Sequence, residues 1–148
     1  YILRGEGMQA YKAIHGDQAQ GLLEILSRWG PLTTIVFSGG SVFEFKGAFP
    51  EGSVAEGFYN FGHSGSGGFQ GHLNLKLVQS ITFQDKPHRG KQSYAFVFRD
   101  KGHECIFKIF LGRDENGVLI PKQVEDFKEM QEQAMVFETE QMEQSNAR

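Results

Sequence analysis

The stretch Tyr94-Ala95-Phe96-Val97-Phe98-Arg99-Asp100-Lys101-Gly102, with its continuation Cys105-Ile106-Phe107-Lys108-Ile109-Phe110-Leu111, decides the fold. Aromatic side chains at 94, 96 and 98 alternate with Ala95 and Val97, the two-residue period of a strand whose successive side chains point to opposite faces. Asp100-Lys101-Gly102 is turn chemistry, so the second run returns antiparallel to the first. The same pattern recurs upstream. Residues 32–37 form a β-branched strand, Gly39-Gly40 a hairpin turn, and 41–46 a return strand with Phe43 and Phe45 on one face and Glu44 and Lys46 on the other. Residues 54–61 read as a third strand, and 62–68 as a Gly/Ser-rich loop. Residues 69–77 read as a strand with Leu73, Leu75 and Leu77 on one face and Gln70, His72, Asn74 and Lys76 on the other. A short strand at 81–83 and a polar loop at 85–91 lead back to the opening stretch. Consecutive hairpins of this kind predict one antiparallel sheet of about seven strands.

Helical patterns stand at both ends. Asp17 is the expected N-cap, and residues 18–29 place Leu22, Leu23, Ile25, Leu26 and Trp29 on one stripe before Gly30-Pro31 stops the helix. Pro121 suits the first turn of a final helix. There Val124, Phe127, Met130, Ala134 and Phe137 recur every three or four residues, and fraying is expected near Ser145. The fold class is therefore α+β: a large antiparallel β-sheet flanked by N- and C-terminal helices, with residues 1–148 as a single domain. Tyr1 is no initiator, so residues 1–7 are read as an addition or as the remnant of an N-terminal region, with Met8 the nearer candidate start.

Composition narrows the function. The 148 residues carry a formal net charge of −3, which disfavours unspecific binding to nucleic acid or anionic membranes, since both need a clustered basic surface. Phe occurs 14 times against one Trp and four Tyr, which predicts a phenyl-rich core and exposed apolar strands that would pair two chains into a homodimer. The single cysteine, Cys105, can form no internal disulfide and no Cys-pair metal site, so a reduced, cytoplasmic setting is expected. No apolar run approaches the roughly 20 residues of a spanning helix.

Several constellations have bland readings beside sharper ones. Gly62-His63-Ser64-Gly65-Ser66-Gly67-Gly68 lacks the Lys-Ser/Thr of a phosphate loop and joins strand to strand, so it reads as a hairpin loop. Ser64 or Ser66 with His63 and Asp85 makes a catalytic group only on paper, without a nucleophile elbow. His15, His88 and His103 sit beside turns or polar segments. His72 is either a histidine on the solvated side of a half-buried sheet or a ligand above an open face. Alone it cannot build a zinc site, but it suits a metal whose other ligands belong to a macrocycle. Phe58 and Tyr59 point oppositely, as core and rim or as a platform for a flat ligand with Tyr59 as a phenolate donor. Arg113-Asp114 reads as a structural turn, with Asp114 accepting backbone N–H bonds and Arg113 pairing with a carboxylate.

Trp29-Gly30-Pro31-Leu32-Thr33-Thr34-Ile35-Val36, Phe43-Glu44-Phe45, Gly57-Phe58-Tyr59-Asn60, Gly71-His72-Leu73 and Lys108-Ile109-Phe110-Leu111-Gly112-Arg113-Asp114 occur in this order. Together with Leu119 and residues 123–127 they resemble the HutX/ChuX family of intracellular haem-utilisation proteins over roughly residues 16–132. The resemblance implies a HemS/ChuS/ChuX-like fold, a saddle-shaped homodimer, haem as bound cargo, and delivery of that haem to a cytoplasmic haem-degrading enzyme. Two alternatives accompany it: a haem-degrading enzyme of the HemS/ChuS type, and an interaction protein that has lost haem binding. The family pattern Gly-Tyr-aromatic-Asn places a haem-iron tyrosine where this chain has Phe58, which cannot ligate. Gly71-His72 matches the family's Gly-His. The resemblance therefore implies His72 as first iron ligand, Tyr59 second and His63 third. The platform would be a largely apolar concave face, with Phe58 at its edge and Lys76 near the propionates.

Overall fold

Strand pairing organises the chain, and the pairs run antiparallel throughout. The computed structural model describes residues 2–3, 8–62 and 68–140. In chain order its elements are β1 (Ile2–Leu3), β2 (Met8–His15), α1 (Ala19–Leu26), β3 (Pro31–Ser38), β4 (Ser41–Ala48), β5 (Gly52–Ala55), β6 (Phe58–Phe61), β7 (Gly71–Asn74), β8 (Ser80–His88), β9 (Lys91–Arg99), β10 (Cys105–Leu111), α2 (Pro121–Gln133) and β11 (Met135–Glu140). Short 3₁₀ turns at Gly16–Gln18 and Leu75–Leu77 precede α1 and β8. The large sheet runs β1-β2-β8-β9-β10-β3-β4, with β11 also on β2; β5-β6-β7 form a separate three-stranded sheet.

The centre of the large sheet is β9, buried from Ser93 to Phe98. Its aromatic face meets α2 through Phe127, whose ring lies 5.0 Å from Phe96 and 5.3 Å from Tyr94. Trp29 adds a tilted contact to Phe96 at 6.0 Å. Leu22, Leu23 and Leu26 bury the apolar stripe of α1 in the same core. On the other face, Lys108 donates to Gln84 at 2.8 Å and Arg99 to Thr82 at 2.9 Å. Gln123 ties α2 to the sheet: its amide nitrogen donates to the carbonyls of Trp29 and Pro31 and its oxygen accepts from Gly112, all at 2.8–2.9 Å. Gly112 is needed there because a Cβ would meet the Pro31 carbonyl oxygen at 2.0 Å.

The structure corrects several readings of the sequence. One sheet of about seven strands is instead two sheets. Residues 54–61 split into β5 and β6 around Glu56-Gly57, both at positive φ, the geometry of a tight primed hairpin turn. Residues 85–91 are no polar loop: β8 and β9 continue to a second turn of this type at Arg89-Gly90. The strand expected over 69–77 ends at Asn74, whose side-chain oxygen accepts from the Lys76 N–H and starts a 3₁₀ turn that leaves Leu77 exposed. The last helix stops at Gln133, and residues 135–140 pair with β2 instead of extending it. Asp17 lies within the 3₁₀ turn and does not cap α1, whose N-cap is Gln18 with no side-chain cap bond. The Gly39-Gly40 hairpin and the β9–β10 pairing stand as read. Asp114 accepts N–H bonds from Asn116 and Val118 as expected, but Arg113 donates to the carbonyls of Gln92 and Gly117, not to a carboxylate.

Candidate functional site

The small sheet separates its two faces sharply. Register places Ser53, Asn60 and His72 side by side across its three strands, and Ala55, Phe58 and Asn74 in the next row. Residues directly opposite share a face, so these six side chains make its outer surface. The intervening positions, Tyr59, Phe61 and Leu73, turn inward to pack with Phe49 and Phe69.

His72 is exposed on this outer surface. Its Nδ1 lies 2.6 Å from the side-chain oxygen of Asn60, and the Asn60 amide nitrogen donates to the carbonyls of Ser53 and Phe58 at 3.3 and 3.2 Å. Phe58, 37 % exposed, is the large apolar side chain of the face. Lys76 is exposed, and its stem crosses Gly57, where a Cβ would lie 2.9 Å from Lys76 Cε. A cation is thus held beside the row that carries Phe58. The expected largely apolar concave platform is, among the described residues, a more polar surface with a single large phenyl side chain. Four of the six outward positions are Ser, Asn and His because the sheet is thin and faces water on this side.

Tyr59 occupies the opposite environment. It is fully buried between Phe49 and Phe61, and its hydroxyl finds no hydrogen-bond partner among the described residues. Burial pushes the phenol above its ordinary pKa and the Glu24 carboxylate adds to this, while the nearby Gly52 backbone opposes it. Gly52 has no side chain to spare, since a Cβ would strike the Tyr59 ring at 2.8 Å. A phenol so placed is held protonated and off the surface. His63 lies outside the described residues.

The register sets His72 and Phe58 in neighbouring rows of one face, Lys76 lies against Gly57 next to Phe58, and Tyr59 lies behind that face. Sequence reading gave Asn60 no task; the signal was its position opposite His72, visible only once the β6–β7 register is known. Among the described residues no three His, Cys, Asp or Glu side chains cluster to hold a bare metal ion. An exposed imidazole beside a phenyl group and a cation instead suits a flat metallated ligand that brings its own equatorial donors.

Comparison with known proteins bears on the same point. The intracellular heme transport protein HutX of Vibrio cholerae is 46 % identical over 121 residues, which are 81 % of this chain. The chain spans 62 % of that relative's length. The solved structure of the heme-binding protein ChuX superposes with a TM-score of 0.72 at 27 % identity, covering 84 % of this chain and 76 % of the other. ChuS, an Escherichia coli heme oxygenase, shares the fold alone, with a TM-score of 0.63 at 18 % identity over 80 % of this chain and 36 % of its own. The family description "Haem utilisation ChuX/HutX" matches residues 12–130. Superposition and sequence agree, and the chain belongs to the haem utilisation ChuX/HutX family.

Proposed function

We propose that this chain is an intracellular haem carrier that binds haem as cargo and passes it to a cytoplasmic haem-degrading enzyme without chemistry on the ring. The observation that carries the reading is the exposed imidazole of His72 beside Phe58 and Lys76, while Tyr59 is buried. His72 would ligate the iron, Phe58 would lie against the porphyrin edge and Lys76 would meet a propionate. One ligand on an open face favours release, which a carrier requires. The transport name of the Vibrio cholerae relative supports the same reading.

A cytoplasmic location accords with that relative's intracellular name; among the described residues no helix is long and apolar enough to cross a membrane. A homodimer is the proposed assembly, supported by Phe37, Val42 and Phe43, exposed by 44–55 % on the β3–β4 hairpin. Light scattering at micromolar concentration should give twice the chain mass, and a monomer mass would refute the dimer.

The carrier reading is tested by adding hemin, then reductant in air. A stable Soret band is expected. Bleaching with release of a linear tetrapyrrole would identify a degrading enzyme, and no spectral change on adding hemin would identify an interaction protein.

A further inference from the structure

Asn60 stands on the central strand of the small sheet, and its amide is used from both ends. The nitrogen donates to Ser53 O on β5 and to Phe58 O on its own strand. Those two acceptors decide which end of the amide is oxygen, because a carbonyl can only accept. The oxygen then lies 2.6 Å from His72 Nδ1. An amide oxygen is also acceptor-only, so in the neutral imidazole the shared proton sits on Nδ1 and the lone pair on Nε2.

We propose that Asn60 is a positioning residue: it holds His72 as the Nδ1–H tautomer and so presents Nε2 to the haem iron. The haem half of this inference rests on the reading of His72 as ligand; the tautomer half concerns the protein alone. A neutral histidine side chain free in water favours the proton on Nε2, which would block that atom for coordination. Histidines that bind metals commonly donate their second ring N–H to a fixed oxygen, which sets tautomer and ring orientation together. Here that oxygen is itself fixed by two backbone carbonyls on adjacent strands. An aspartate at 60 would still accept from Nδ1 but would lose both donated bonds, whereas a leucine would lose all three.

The test is long-range ¹⁵N–¹H correlation NMR on the haem-free chain, at a pH where the imidazole is neutral, followed by hemin titration of the same samples. The wild-type chain and Asn60→Asp should show His72 protonated on Nδ1. Asn60→Leu should populate the Nε2–H form and bind hemin about tenfold or more weakly. Protonation on Nε2 in the wild-type chain, or an unchanged tautomer in Asn60→Leu, would overturn the inference whatever hemin does. A shifted tautomer with unchanged hemin affinity, while His72→Ala weakens binding, would overturn the positioning role and leave the ligand reading standing. Unchanged hemin binding in both Asn60→Leu and His72→Ala would overturn the ligand reading itself. Thermal melting of each variant identifies any loss caused by unfolding, and Asn60→Ala, which also removes the accepting oxygen, should show the same shift to Nε2–H if the leucine variant unfolds, an unchanged tautomer there overturning the inference.

Discussion

Strand β9 of the large sheet is buried at six consecutive residues, whereas β7 of the small sheet buries none of its four fully. The first is covered by α1 and α2 on its aromatic face and by long polar side chains on the other. The second has core on one side and solvent on the other. If His72 is the ligand proposed above, stability and binding fall to different sheets, and substitutions in them should separate the two properties. A carrier gains from this division, because a ligand can enter and leave the thin sheet while the thick one stays packed.

The largest effect should come from the heart of the large sheet. Phe96 is fully buried between Trp29, Phe83 and Phe127, so Phe96→Ala should cost about 3–5 kcal/mol in urea unfolding. Gln123→Ala leaves Gly112 N–H and two carbonyls without their partner and should cost about 2–3 kcal/mol by the same measurement. Asp114→Ala removes two accepted N–H bonds from an exposed turn and should cost about 1 kcal/mol while hemin binding is retained. Lost binding at unchanged stability would place Asp114 in the site instead.

Tyr59 sharpens the comparison from the inner face of the small sheet. Tyr59→Phe removes a buried hydroxyl that has no hydrogen-bond partner among the described residues, and stability should hold or rise by up to about 1 kcal/mol. The phenol also sets an alkaline limit. Its folded pKa is raised above the ordinary 10.0, so its contribution is intact below pH 10 and is lost as pH rises from there towards the folded value, where only the unfolded chain is ionised. Denaturant titration from pH 9 upward should show a shallower decline in Tyr59→Phe than in the wild-type chain. The smallest effect belongs to His103, half-buried beside Arg99. Burial, then the Arg99 charge, lowers its pKa, so stability is present above 6.5 and declines as pH falls from there through the folded value. Replacing His103 by Gln should flatten that acid slope, seen in melting curves across the same range.

What the sequence disclosed follows the same division. Where one local pattern decided the structure, it could be read: the alternation at 94–98, the Gly39-Gly40 turn, Pro121, and Leu22, Leu23 and Leu26 of the α1 stripe, although Ile25 is exposed and the helix ends before Trp29. Where long-range pairing decided, it could not. Ala134 and Phe137 continue the helical spacing of Phe127 and Met130, yet β2 offers residues 135–140 a ladder and wins. Strand β2 itself hid behind Ala10 and Ala13, poor strand formers that the sheet buries. Glu56-Gly57 and Arg89-Gly90 lack the Asn or Asp that usually marks a primed turn. In the site, His72 could be picked out by its place in the alternation. The pairing of Asn60 with His72 could not, because it depends on the β6–β7 register, which the Gly/Ser composition of the connecting loop does not fix.

The central claim is that His72, and not Tyr59, meets the iron. Hemin titration followed by absorbance, on the wild-type chain, His72→Ala and Tyr59→Phe together, tests it most directly. The account predicts that His72→Ala shifts the Soret band and weakens binding by more than the roughly tenfold that loss of a supporting contact costs, while Tyr59→Phe titrates like the wild-type chain. A Tyr59→Phe chain that no longer binds hemin, beside a His72→Ala chain with an unchanged spectrum, would contradict it.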